Sequence, residues 1–307
     1  FPSILSINMF HTIISLSAII LGYLIGKELV DKNVGIVIAA YFTFSFYFIS
    51  IARFIWQPNL IPYFFLAGLY FFIKSFYDQK LQYIYISILL FFICLNIHYS
   101  TLLVIPAISI WILKRHSEIV NKNKENRVVN WLIFSTYLYL LFIIWIKLVD
   151  LKIKSIIQIL LNSQSTLSLK EFIYHGIETM VLFSKFLYGN HNYSLLLYLI
   201  FLIAIIFSLI NKKIKVSKLI AFIYSLNFSI IIAFFLKENI YIHYYGQLLI
   251  TAYISSAILI NKLVKIKLLR FLMIIFLFIL FLHSTANDNK LIGATTYFEK
   301  WERLDYD

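Results

Sequence analysis

Residues 53–62 read Arg53-Phe54-Ile55-Trp56-Gln57-Pro58-Asn59-Leu60-Ile61-Pro62, a short polar turn between two long apolar runs. A cation, an amide pair and two prolines sit where one lipid-soluble helix must stop and another begin. Packing against hydrocarbon does not account for them. The turn reads as part of a working face, and the rest of the chain as membrane scaffold or as further loops able to converge on that face.

Composition supports a membrane setting. Hydrophobic residues make up 62%, charged residues 13%, and mean hydropathy is +0.87, far outside the range of a soluble globular domain. The net charge of +13 does not point to nucleic acid, because the Lys and Arg residues fall in short clusters between apolar runs rather than on a solvated face. They read as a topology signal. Cys94 is the single cysteine and lies inside an apolar run, which excludes a disulfide framework or a thiolate zinc site of the usual kind. The chain opens at Phe1-Pro2 with nothing resembling a signal peptide, and a further upstream portion is expected.

Working outward from the turn, apolar runs are long enough to serve as spans, given a hydrocarbon core of about 30 Å and about 1.5 Å rise per residue. They cover residues 7–26, 34–51 and 60–73. Residues 81–113 read as two spans joined at the polar corner Asn96-Ile97-His98-Tyr99-Ser100, with Pro106 kinking the second. Residues 114–130 read as a hydrophilic loop, followed by spans at 131–146, 194–210, 219–236, 247–260 and 269–282. The expected fold is therefore all-α, a polytopic transmembrane helix bundle of about ten spans over residues 1–284, with an external, unfinished tail over 285–307. The long connection 147–192 is expected to carry interfacial helices. Ile153, Ile156, Ile157, Leu160 and Leu161 recur at helical spacing opposite Lys152, Lys154, Ser155 and Gln158, and Phe172, Ile173, Met180, Val181 and Leu187 suggest a second such helix.

Basic residues set the orientation. One alternate set of connections holds 17 of the 27 Lys and Arg residues, including Lys27, Lys74, Arg115 and Lys218. That set is expected to be cytoplasmic. In the opposite set the short connections hold only Arg53 and Lys237. The Arg53 turn, the His98 corner, the 147–192 connection, the 237–246 loop and the tail are therefore expected to share the external side of the membrane.

With this topology, the Leu21-Gly22-Tyr23-Leu24-Ile25-Gly26-Lys27-Glu28-Leu29 helix end, the Arg53 turn leading into Phe64 and Phe65, the Asn96–Ser100 corner and His243-Tyr244-Tyr245 together resemble the GT-C superfamily of membrane glycosyltransferases. Within it, the likeness is to bacterial protein O-mannosyltransferases and aminoarabinose transferases, and it runs from Phe1 to about Leu282. The resemblance implies an inverting sugar transfer from a polyprenyl-phosphate donor to a lipid, protein or glycan acceptor at the external face of a bacterial or archaeal plasma membrane. It also implies a catalytic Asp in the first external loop, acting as base on the acceptor hydroxyl, and that loop is expected upstream of Phe1. Where such enzymes often carry a second acid, this chain has Gln57 and Asn59, so metal assistance has no support and no cofactor is expected.

Candidate substrate-binding residues come from the external connections. Arg53 offers paired donors to a phosphate or anchors at lipid headgroups. Gln57 and Asn59 can hydrogen-bond sugar hydroxyls, while turn chemistry beside Pro58 explains Asn59 equally. Trp56, Tyr244 and Tyr245 read as interfacial aromatics. His98 and Tyr99 can contact phosphate or acceptor, or satisfy the backbone of their own corner. Lys237, Glu238 and His243 place a cation, a carboxylate and a titratable ring in one short loop. His11 and His283 read as interfacial. Glu171, His175 and Glu178 share a helical face but lack a third placed ligand, so no metal site is assigned. The absence of a phosphate-binding Gly-rich loop or nucleotide fingerprint argues against a soluble nucleotide-sugar donor. Competing readings are a transporter or flippase of lipid-linked sugars, which should carry mid-span polar residues beyond Asn227, Ser225 and Ser229, and a membrane oligosaccharide polymerase.

Overall fold

The computed structural model describes residues 4–45, 48, 57–97, 101, 104–122, 126–162, 169–188, 194–211, 214, 216–229, 246–265 and 267–276. Among these residues the chain is all-helical. The elements in order are α1 (Ile4–Leu29), α2 (Lys32–Phe44), a 3₁₀ turn (Gln57–Leu60), α3 (Ile61–Asp78), α4 (Leu81–Ile97), α5 (Ile105–Lys122) and α6 (Arg127–Asn162). Then come α7 (Leu169–Tyr188), α8 (Ser194–Ile210), α9 (Lys218–Asn227), α10 (Gly246–Leu263) and α11 (residues 267–276).

Among the described residues, three helices are long and apolar enough to cross a membrane, within α1 (Thr12–Leu29), α6 (Arg127–Ile144) and α10 (Gly246–Leu263). The first two present most of that length to the outside, with Leu16, Ile20, Leu132, Leu140 and Phe142 exposed. A soluble protein rarely leaves so much large apolar surface bare, whereas a lipid bilayer covers it.

Local signals explain the helix boundaries. Asp31 caps α2 by accepting the Val34 amide at its Oδ1, 2.9 Å away, and Ser217 caps α9 by accepting the Ile220 amide at 3.3 Å. Pro62 falls in the first turn of α3, where a missing N–H leaves no bond unmade. Gln79 ends α3 in the left-handed region, with φ of 53°, and its amide bonds back to the Ser75 carbonyl.

Helices α1 and α2 pack closely, and glycine is the reason. A Cβ at Gly26 would stand 2.7 Å from the Gly35 Cα, and one at Gly35 would stand 2.5 Å from the Tyr23 carbonyl oxygen. Backbones this close gain dispersion contact along their length. That contact is the main force joining helices once lipid replaces water around them. A Cβ at Gly22 would instead meet the ring of Phe42, a side chain.

Helix α10 runs through the centre of the bundle. Every residue from Gly246 to Ile260 is buried, and the helix packs against α1, α2, α3, α8 and α9. Its polar residues therefore bond inside the protein. Ser255 accepts from Asn227 of α9 at 2.8 Å, Tyr253 shares a hydrogen bond with Ser45 at the end of α2 at 2.9 Å, and Thr251 bonds to its own helix at the Leu248 carbonyl.

At the basic end of the bundle, charged residues tie four helices together. Lys74 of α3 meets Glu28 of α1 at 3.0 Å, and the Tyr77 hydroxyl donates to the Glu28 carbonyl. Glu118 of α5 receives Arg115 at 3.0 Å and Lys218 of α9 at 2.7 Å. Arg115 also donates to the Ser75 carbonyl at 2.6 Å and lies over the Phe76 ring.

Three sequence expectations change. Residues 114–122 are helical rather than looped, because α5 turns Arg115, His116, Ile119 and Val120 inward. His116 stacks on Phe134 with ring centroids 4.0 Å apart and meets Trp131 edge-on, so this stretch forms the α5–α6 contact. The expected span 131–146 and the first expected interfacial helix are one unbroken 36-residue helix, α6, about 54 Å long at 1.5 Å per residue. Pro106 begins α5 instead of kinking it. Helix α7 covers the second stretch, and its end packs on α8 through Phe183 and Tyr198, 5.1 Å apart.

Two predictions follow from this packing. Gly35→Ala should destabilise the protein by about 1–3 kcal/mol, since its neighbour is backbone, whereas Gly22→Ala should cost clearly less because a ring can shift. Unfolding in mixed micelles by SDS titration compares the two, and equal losses would refute backbone contact as the constraint. The second concerns Glu118. Burial alone would raise its carboxyl, but hydrogen bonds and charge from Lys218 and Arg115 outweigh burial and hold it below the ordinary carboxylate range. A depressed folded pKa contributes stability that is complete above the ordinary carboxylate pKa and is lost as pH falls through the lowered value. Glu118→Gln should therefore cost about 2 kcal/mol near neutral pH, chiefly through buried Arg115, because the Lys218 arm is 64% exposed and screened. The same titration from pH 7 to pH 3 should show the wild type and the variant converging. A gap that does not narrow would show that the ion pair is inert.

Candidate functional site

The end of the bundle opposite the basic cluster is built from the 3₁₀ turn, the end of α2, the ends of α3 and α4 nearest it, residue 101 and the start of α10. The turn forms because Pro58 fixes its own φ and the next helix opens with Pro62, so the chain cannot enter α3 without a tight corner. Asn59 is buried in that corner.

Two contacts fasten the surrounding chain to this end. Cys94, in the last turns of α4, donates its thiol to the Ile61 carbonyl at 3.6 Å, joining α4 to the first residue of α3. Gln247, in the first turn of α10, donates its Nε2 to the Thr101 hydroxyl at 3.3 Å across 146 residues of sequence. Both partners in this second bond are buried. The described residues next to three candidate stretches are thus held at one end: Gln57–Leu60 after Arg53, Cys94 and Thr101 on either side of His98, and Gln247 after His243.

A cavity of about 240 Å³ lies beside the turn, between α1, the end of α2 and the start of α3. Its walls include Leu16, Phe42 and Phe48, together with the hydroxyls of Ser15, Thr43 and Tyr63. Ser15 donates to the Tyr63 hydroxyl at 2.9 Å, so the polar atoms form a small seam in an apolar wall. Leu16 and Thr43 are exposed at the rim, which opens the cavity to the flank of the bundle. Such a space suits a hydrocarbon chain with a polar group at one end. It is too apolar to hold a free sugar or phosphate.

Of the sequence-derived site residues, Asn59 is placed as above, and Gln57 opens the turn, its side chain outside the described residues. Arg53, His98, Tyr99, Lys237, Glu238 and His243 lie outside the described residues, as do Trp56, Tyr244, Tyr245 and His283. Glu178 is exposed on α7, while the side chains of His11, Glu171 and His175 are outside the described set. Among the described residues no group of three or more His, Cys, Asp or Glu side chains could hold a metal ion. Asp31 and Asp78, two of the described acids, flank α2 and α3 at the basic end and are remote from the turn.

Sequence reading missed Thr101, Gln247 and the Ser15–Tyr63 pair. Gln247 was visible as a polar residue opening an apolar run, but its partner lies in another helix connection, and no local pattern announces such a contact. No protein-family model matches the chain, and neither the curated proteins nor the solved structures compared with it include a match.

Proposed function

We propose that the protein is a polytopic membrane glycosyltransferase of the GT-C kind, moving a sugar from a polyprenyl-phosphate donor to an acceptor at the external face of a bacterial or archaeal plasma membrane. The observation that supports this reading is that described residues next to three separate polar stretches are held at one end of an apolar helical bundle, in part through the Cys94–Ile61 and Gln247–Thr101 contacts. An enzyme that meets a lipid-borne donor and a water-borne acceptor needs its polar groups gathered at one membrane face. The flanking cavity adds to the argument, since a donor arriving from the bilayer brings a chain that needs an apolar berth beside the polar groups.

In this reading the chain's own residues bind and orient. Arg53 pairs its guanidinium with the donor phosphate and replaces the hydration lost on docking. His98, Tyr99, Lys237, Glu238 and His243 surround phosphate and acceptor, and Gln57 and Asn59 supply amides to sugar hydroxyls. Neither Asp31 nor Asp78 serves as the base in this reading, because both belong to the basic end.

One observation favours transport instead. Gln247, Thr251 and Ser255 lie four residues apart on the buried central helix, with Asn227 beside Ser255. A translocation path needs such mid-bundle polarity, but Asn227 and Thr251 are bonded within the protein rather than facing a channel.

The deciding assay uses the complete protein in vesicles with a radiolabelled polyprenyl-phosphate sugar. Label transferred to an acceptor supports the enzyme, and label moved between leaflets while still on its lipid supports the transporter. Arg53→Ala and Arg53→Lys should each lower transfer by roughly 30- to 1000-fold, on the order of 2–4 kcal/mol of transition-state stabilisation. The Lys variant keeps charge but loses the paired donors. Unchanged transfer in both, at equal protein in the membrane, would reduce Arg53 to a headgroup anchor.

A further inference from the structure

The cavity beside the turn carries more polarity than a hydrocarbon berth needs. Of its described lining residues, Thr12, Ser15, Thr43 and Tyr63 bring hydroxyls, the others are apolar and none is charged. Its mouth lies on a lipid-facing flank. Met9, Ile13, Leu16 and Ile20 recur every three or four residues of α1, all exposed, and Leu16 of this apolar stripe stands at the rim. Ser15 precedes Glu28 of the basic end by 13 residues, about 20 Å along the helix, and so falls within a hydrocarbon core of about 30 Å. Whatever enters there comes through the bilayer.

The hydrogen bonds within the wall decide what kind of group fits. The Ser15 hydroxyl donates to the Tyr63 hydroxyl at 2.9 Å, and the Thr43 hydroxyl donates to the Ala39 carbonyl at 2.8 Å. A hydroxyl has one proton and two lone pairs, so both oxygens can accept a bond while their protons stay in the protein. A carboxylate or phosphate meets no cation among the described lining residues, and an ammonium meets no carboxylate. A neutral hydroxyl is the group that gains. As for size, an apolar cavity of about 150 Å³ holds benzene, so this one, at about 240 Å³, takes on the order of ten carbons. We propose that the cavity is a binding site for a neutral lipid alcohol. Its hydroxyl enters first and donates to Ser15 Oγ, which lies beside buried Tyr63 and is less exposed than Thr43 at the rim. Its stem lies along Ile19, Phe42 and Phe48 and leaves between Leu16 and Thr43. The site goes beyond the glycosyl-transfer reading, in which the cavity holds only a chain, and does not depend on it.

The test uses the complete protein in nanodiscs and a photoreactive probe, a decanol carrying a diazirine midway along its chain, with the labelled residues mapped by peptide mass spectrometry. Labelling should concentrate on the α1 and α2 residues that line the cavity. Unlabelled 1-decanol should displace the probe at about 3- to 10-fold lower concentration than decyl methyl ether, which keeps the chain and the oxygen but has no proton to donate. Ser15→Ala should erase that difference and leave the affinity for the ether unchanged, a split that a merely structural serine would not produce. Leu16→Trp, at an exposed rim position, should block labelling of the cavity. Should that variant lose stability, the Ser15→Ala comparison still decides. The proposal is overturned by labelling spread evenly over the exposed faces of α1, α6 and α8, or by a preference for decanol that survives Ser15→Ala. Decanol and ether displacing the probe equally from the wild type would also overturn it, leaving a chain berth alone. So would decyl phosphate displacing the probe better than decanol, which would put a phosphate site there.

Discussion

Helix α10 has no outer face, and much of the bundle follows from that. Because every residue from Gly246 to Ile260 is buried, each polar side chain on it must find its partner within the protein. Tyr253 draws in the end of α2 through Ser45, Ser255 draws in α9 through Asn227, and Gln247 draws in the chain at Thr101. Apolar contact alone would let neighbouring helices slide or rotate, since lipid tails are as good a partner as leucine. Directional hydrogen bonds to a central helix fix both register and depth. The α1–α2 pair achieves the same end differently, by bringing Gly26 and Gly35 so close that only one mutual placement fits.

The two ends of the bundle then have different chemistry. At one end, charge is used structurally: Glu28 pairs with Lys74, and Glu118 with Arg115 and Lys218, across α1, α3, α5 and α9. At the other end, among the described residues, hydroxyls, amides and a thiol take over, with an apolar cavity opening to the flank.

Apolar runs announced most of the helices, and the starts of α3 and α10 fall within a residue or two of the sequence reading. The errors share a cause. Charged residues were read as leaving the bundle, yet Arg115 is buried because Glu118 and the Ser75 carbonyl satisfy it. The run through Lys147, Asp150, Lys152 and Lys154 stays helical because a helix needs no apolar surroundings to continue. The polar turn before α3 was legible because proline marks its own position. The Gln247–Thr101 contact was not, because it joins residues 146 apart, and two buried polar residues carry no sign in the sequence of which partner each will find.

The proposed function requires one arrangement: the polar turn end and the basic end must face opposite sides of a membrane, with the candidate stretches on the external side. Single cysteines at Asn123 and Asn190 report on the two sides, since native Cys94 is fully buried and bonded to Ile61. With a membrane-impermeant maleimide on intact cells, position 190 should label and position 123 should label only after permeabilisation. Equal labelling of both from outside, or the reverse pattern, would contradict the account.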